Sequence, residues 1–192
     1  MTYEDYKKIL VERLTPKRYY HSLCVADEAK RLAGKYGADE EKAFLAGLLH
    51  DVTKNAPADE HFKLFEDYGT KTDDVTKASE KLWHAVSGAV YIEHILGVTD
   101  KEILSAVRYH TTAKANMSIL EKVLYLADFT SADRDYDDVD VMREKVEISM
   151  TEAMHYALAY TINELVEKGS QIHPDTFEAY NEIIKEKKNG IK

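Results

Sequence analysis

Ala43-Phe44-Leu45-Ala46-Gly47-Leu48-Leu49-His50-Asp51 is the stretch on which the fold and the chemistry of this chain turn. An apolar run suited to the inside of a helix leads straight into an imidazole and a carboxylate, where packing alone favours Leu or Ala. Two hard metal donors at the buried end of a helix predict a site rather than a surface.

The pattern recurs along the chain. His21, His84, His110 and Asp128 each end, or lie within, an apolar helical stripe, so the sequence offers six candidate nitrogen and oxygen ligands. A structural zinc takes four ligands and favours cysteine, whereas a two-metal centre with one shared carboxylate accommodates all six. Taken singly, each histidine reads as an ordinary core or surface residue and Asp128 as a cap or acceptor. The joint pattern reverses that reading. His61, His94, His155 and His173 lack the setting and are set aside.

Around the opening stretch the period is helical throughout. Thr15-Pro16 reads as N-cap and first helical residue, with Tyr19, Leu23, Ala26, Leu32, Ala33 and Tyr36 following before Gly37. Asp39 caps the helix that runs to His50-Asp51. Asn55-Ala56-Pro57 breaks it, a short helix carries Phe62 and Phe65 to Gly69, and Lys71 to Lys81 is loose. Val86, Ala89, Val90, Ile92 and Ile95 mark a helix ending at Gly97, and Asp100 caps the next, up to Tyr109-His110. Ser118-Ile119-Leu120-Glu121 is a capping box opening a helix to Asp128. Asp133 to Asp140 reads as a loop, then helices span roughly 147 to 168 and 175 to 188. No segment alternates with period two, so the expected fold is all-α: a compact helical bundle of about eight helices.

The 192 residues suit one domain, 1–192. The single cysteine, Cys24, rules out an internal disulfide framework, and the acidic start Met1-Thr2-Tyr3-Glu4-Asp5 has no leader-like apolar run. No run reaches the roughly 18 apolar residues of a membrane span. A cytoplasmic protein without a membrane partner is expected. A net charge of -9 disfavours long nucleic acid, which needs a basic track. Tyr and Leu on the terminal helices serve either a homodimer interface or the monomer core.

Neighbouring His50 and Asp51 leave a helix about 100° apart, so they can flank one ion while Asp51 reaches a second with its other oxygen. The expected arrangement is one ion on His21, His50, Asp51 and Asp128, and another on Asp51, His84 and His110. Donors without thiolate suit iron, manganese, cobalt or nickel, with zinc a further alternative. Such a centre polarises phosphate and activates water near neutral pH, which is phosphohydrolase chemistry. Asp51 is the candidate catalytic carboxylate. Lys54, three residues on, is the candidate catalytic and substrate-binding cation. Arg18, one turn before His21, and Arg134, beyond Asp128, can clamp phosphates. Thr111 is a further substrate contact, with Lys114 and Arg143 as weaker rim candidates.

Arg18-Tyr19-Tyr20-His21-Ser22-Leu23-Cys24-Val25-Ala26, His50-Asp51-Val52-Thr53-Lys54, His84-Ala85-Val86-Ser87-Gly88, Arg108-Tyr109-His110-Thr111-Thr112 and Leu124-Tyr125-Leu126-Ala127-Asp128 together resemble the metal-binding signature of the HD-domain phosphohydrolases. Within them the chain is most similar to the bacterial YqeK-like symmetrical bis(5'-nucleosyl)-tetraphosphatases. The resemblance covers about residues 15–165, the expected metal-binding core, and leaves a peripheral C-terminal helix at about 170–192. It implies an HD-type bundle, a di-iron centre, and cleavage of diadenosine tetraphosphate to two ADP. It also implies that Arg134 is the phosphate-side arginine. Where such relatives carry Glu-Pro after the last metal aspartate, this chain has Ser131-Ala132. That change is expected to alter the rim and nucleotide preference and to leave the metals alone. The alternatives are an HD-type nucleotidase or phosphodiesterase acting on another small nucleotide, and a nucleotide-binding module without turnover.

Overall fold

Every apolar stripe read from the sequence forms a helix, and three further helices join them. The structure is a computed structural model that describes residues 1–190. In chain order the helices are α1 (Tyr3–Arg13), α2 (Pro16–Tyr36), α3 (Glu40–Leu49), α4 (Ala58–Asp67), α5 (Asp74–Ala78), α6 (Glu80–His94), α7 (Lys101–Tyr109), α8 (Ile119–Thr130), α9 (Val139–Ile148), α10 (Met150–Glu167) and α11 (Pro174–Gly190). The all-α class holds, but the described residues form eleven helices rather than about eight. The additions are α1, α5 and α9. The first buries only Tyr6 and Leu10, the second is a single turn capped by Asp73, and the third fills part of the expected acidic loop. Residues 191 and 192, at the end of the expected last helix, lie outside the described residues.

Helix α8 is the axis of the molecule. Leu120, Val123, Leu124, Tyr125, Leu126 and Ala127 are all buried, so it is apolar on nearly every side, as a helix surrounded by others must be. Against it pack α2, α7 and α10, and α3 lies across α2. Gly47 sets how close that last crossing can be: a Cβ there would lie 2.7 Å from Ala26 Cα and 2.9 Å from the Val25 carbonyl oxygen. Only a glycine lets the two backbones touch, and their contact carries His50 inward beside His21. Helix α11 lies along α10 and buries Ala179 and Ile183.

No helix among the described residues is long and apolar enough to cross a membrane.

Candidate metal centre

Helix ends and helix interiors contribute differently to the site. His50 and His110 are the C-caps of α3 and α7, whereas His21, His84 and Asp128 lie within α2, α6 and α8. Beyond α3 the amides of Val52, Lys54 and Ala56 each bond a carbonyl three residues back, at 3.1, 2.8 and 3.0 Å. Turns of that pitch stack residues three apart. Asp51 and Lys54 therefore face the same cavity.

All six predicted ligand residues converge. His21 Nε2 is 3.0 Å from Asp128 Oδ1, and His50 Nε2 is 3.4 Å from Asp51 Oδ2 and 3.9 Å from Asp128 Oδ1. His84 Nε2 is 3.1 Å from Asp51 Oδ1 and 3.1 Å from His110 Nε2, which is itself 3.9 Å from Asp51 Oδ1. Donor atoms of His21, His50 and Asp51 lie within 4.8 Å of one another, as do those of Asp51, His84 and His110. A third group, His50, His110 and Asp128, straddles these two.

His50 tests whether a cation belongs here. Its ring is fully buried, and Nδ1 gives its proton to the Gly47 carbonyl at 2.7 Å. Nε2 has no hydrogen-bond partner among the described residues and faces two carboxylates. A lone pair pressed against anionic oxygens is destabilising until a cation sits between them. The imidazole and carboxylate donor set therefore fits a metal.

Burial pushes the Asp51 carboxyl up, but His50 and His84 hold it well below the usual carboxylate range. For Asp128 burial is likewise overcome, first by Arg134 and then by His21. Burial, then the proximity of His50 and His84, lowers His110 to about 3. Burial also lowers His84, against the opposing pull of Asp51. Ionised carboxylates and neutral imidazoles are the states a metal requires, and Asp51, Asp128, His84 and His110 are shifted toward them, whereas for His50 burial is overcome by Asp51 and Asp128, which raise it.

The predicted phosphate contacts line the mouth. Arg18 Nη1 pairs with Asp51 Oδ2 at 2.8 Å, and Arg134 bonds the Asp128 side chain while its Nε donates to the Asp128 carbonyl at 2.5 Å. A cavity of about 480 Å³ includes Arg18, Lys54, Thr111 and Arg134 in its lining. A second, of about 340 Å³, includes Lys17, His21 and Tyr136. Arg18 and Arg134 border both. Thr111 Oγ1 is buried without a hydrogen-bond partner among the described residues. Lys114 and Arg143 are engaged elsewhere, the first with Glu121 at 3.2 Å and the second with the carbonyls of Thr130, Ser131 and Arg134.

Two features escaped the sequence. Asp133, read as the start of an acidic loop, lies 2.8 Å from His21 Nδ1, so the segment expected to shape only the rim touches a candidate ligand. His61, set aside above, begins a buried chain of contacts: to Ser87 at 2.7 Å, on to Thr53 at 2.8 Å, and from Thr53 to the His84 carbonyl at 3.0 Å. His61 Nδ1 donating to Ser87, Ser87 to Thr53 and Thr53 to the carbonyl satisfies every member. Ser87, one turn along α6 from His84, was the available hint.

A cluster of four histidines and two aspartates, all buried except the half-buried Asp128, at the axis of an all-α bundle defines a metal-dependent phosphohydrolase. Residues 18–133 match the HD domain. The chain is 35% identical over 181 residues to the symmetrical bis(5'-nucleosyl)-tetraphosphatase of Halalkalibacterium halodurans, covering 94% of this chain and 96% of that one. It is 33% identical over 184 residues to the protein of the same name from Bacillus subtilis, covering 96% and 98%. The crystal structure of a predicted HD superfamily hydrolase involved in NAD metabolism from Clostridium acetobutylicum superposes with a TM-score of 0.93 at 34% identity, over 97% of this chain and 98% of the other. The chain belongs to the HD-domain superfamily, and within it to the family of the bacterial symmetrical bis(5'-nucleosyl)-tetraphosphatases.

Proposed function

We propose that this chain hydrolyses dinucleoside tetraphosphates symmetrically, with diadenosine tetraphosphate giving two ADP. The observation that carries the proposal is the division of the Asp51 carboxylate, with Oδ2 toward His50 and Oδ1 toward His84 and His110. It supports two ions sharing one aspartate, the first held by His21, His50, Asp51 and Asp128 and the second by Asp51, His84 and His110. Iron is the proposed ion, with manganese, cobalt and nickel as alternatives the same donors accept. When bound, such ions supply Lewis-acid polarisation of phosphoryl oxygens and a nucleophile active near neutral pH.

Overall, a water oxygen bonds to one of the two central phosphorus atoms, the anhydride bridge between them breaks, and each half departs as a nucleoside diphosphate. The protein must offset the charge gathered on the departing half. We assign that role to Lys54, Arg18 and Arg134, an assignment their shared lining of one cavity supports, with the Thr111 hydroxyl donating to a phosphate oxygen. Asp51 orients the centre rather than abstracting a proton. The names of the two curated relatives support the tetraphosphate substrate. The proposal takes residues 1–192 as one HD-type unit with its metal-binding core in about 15–165, acting in the cytoplasm; the single cysteine lends no support to an extracytoplasmic home.

Protein expressed with iron available tests this by elemental analysis together with product counting. The expected result is stoichiometric metal and two ADP formed for each diadenosine tetraphosphate lost. Faster turnover of a mononucleotide would overturn the substrate assignment. Asp51→Asn is expected to lose metal and turnover together, and retained activity would overturn the bridging role.

A further inference from the structure

Each candidate histidine ligand needs its second ring nitrogen fixed if the first is to point at an ion. His50 and His110 do this locally. They end their helices, where the last carbonyls lack the usual amide four residues on, and their Nδ1 atoms bond the Gly47 and Val107 carbonyls at 2.7 and 2.6 Å, the second of which also accepts the His110 amide at 3.5 Å. His21 has no such option, because it lies inside α2, where the preceding carbonyls already serve the helix. Its partner comes from far along the chain. Asp133 Oδ2 is 2.8 Å from His21 Nδ1, and Ser131 Oγ donates to Asp133 Oδ1 at 2.8 Å. A carboxylate only accepts, so Nδ1 gives a proton to Asp133; Nε2 lies 3.0 Å from Asp128 Oδ1, a second carboxylate, and with an ion in the cluster its lone pair would face that ion. His84, also inside its helix, has no acceptor at Nδ1 among the described residues and has the Lys54 ammonium 3.3 Å from both ring nitrogens.

We infer that Asp133 is the positioning residue for His21: it fixes the tautomer and ring plane and, through its charge, strengthens Nε2 as a ligand, with Ser131 holding the carboxylate in place. The inference rests on the metal centre proposed above. It makes the two ion positions unequal, since His21 is backed by a carboxylate whereas His84 has no such acceptor and has a cation beside both ring nitrogens.

Equilibrium Mn(II) binding, followed by competition with a chromophoric chelator, reads this without turnover. Wild-type protein is expected to bind two ions with distinct affinities. Asp133→Asn and Asp133→Ala are expected to weaken the tighter one by roughly tenfold to a hundredfold, with Asp133→Glu restoring most of the loss. Under limiting metal the Asn variant should lose kcat with an unchanged KM for nucleotide, and excess metal should recover it. Ser131→Ala, a milder change should the Asp133 variants fail to fold, is expected to shift affinity in the same direction by less. Unaltered affinity in folded Asp133 variants, or in Ser131→Ala where those do not fold, would overturn the inference even if thermal stability fell. Absence of Mn(II) binding by the wild type would overturn the metal centre itself, a separate and distinguishable failure.

Discussion

Lys54 Nζ lies 3.3 Å from both ring nitrogens of His84, placing a cation at the one candidate histidine ligand that has no acceptor behind it. Burial lowers the Lys54 pKa, against the opposing pull of Asp51, so the site carries the ammonium at some cost. Lys54→Met is expected to retain its full metal content and to lose kcat by about 10²-fold or more, as when a charge-stabilising donor is removed. Metal analysis beside steady-state kinetics checks this, and loss of metal from the variant would contradict it.

Arg18 and Arg134 should separate in their effects. Arg18 touches the centre through Asp51 alone, so Arg18→Ala is expected to raise KM by about tenfold, the worth of one charge-assisted hydrogen bond, and to leave bound metal unchanged. Arg134 also braces Asp128 through side chain and backbone. Arg134→Ala is therefore expected to raise KM and weaken metal retention together, measured by kinetics at two metal concentrations.

Two glycines predict opposite outcomes. At Gly47 a methyl group meets backbone at 2.7 Å, which no rotamer change relieves. Gly47→Ala is expected to destabilise the fold by about 1–3 kcal/mol, or more if α2 and α3 must separate. At Gly88 the nearest atoms are 3.5 Å away, an ordinary contact, so Gly88→Ala should be neutral or stabilising by up to about 1 kcal/mol through helix propensity. Urea denaturation of both variants distinguishes them.

Acid stability offers a fourth check. Asp73 caps α5 by accepting from the Thr76 amide and hydroxyl at 2.8 Å each, and it faces His173 Nε2 at 3.0 Å. Burial raises its pKa, but the Thr76 bonds and His173 more than offset this and hold it well below the ordinary 3.8. A carboxyl depressed on folding contributes stability above its unfolded pKa and loses it as pH falls toward the folded value. Asp73→Asn is expected to melt below the wild type near neutral pH, with the gap narrowing once pH drops beneath 3.8. Paired thermal melts across that range test it.

A dense apolar stripe makes α2, α3, α6, α7, α8 and α10 legible from residues alone, because a buried face imposes its period on the sequence. The three helices missed fail that condition in different ways. In α1 only Tyr6 and Leu10 are buried, and in α5 a single turn is too short to show a period. In α9 Val139, Met142 and Val146 do repeat helically, but acidic neighbours mask them, and the extended Ser149 divides the helix from α10. Among site residues the same logic holds. His50, His84, His110 and Asp128 stand out because they interrupt apolar runs. Asp133 stands among other aspartates, and only its contact with a histidine 112 residues away distinguishes it.

His50 and His110 each spend a ring proton on a carbonyl of the helix they terminate, so the direction of Nε2 is coupled to where that helix stops. One residue inserted into α3 or α7 would rotate the ring by about 100° and advance it about 1.5 Å, turning the ligand out of the cluster. Descendants of this chain can therefore exchange side chains along α3 and α7 far more freely than they can change their lengths. A length change is expected to be tolerated better in a connection such as 70–72, which meets neither cap.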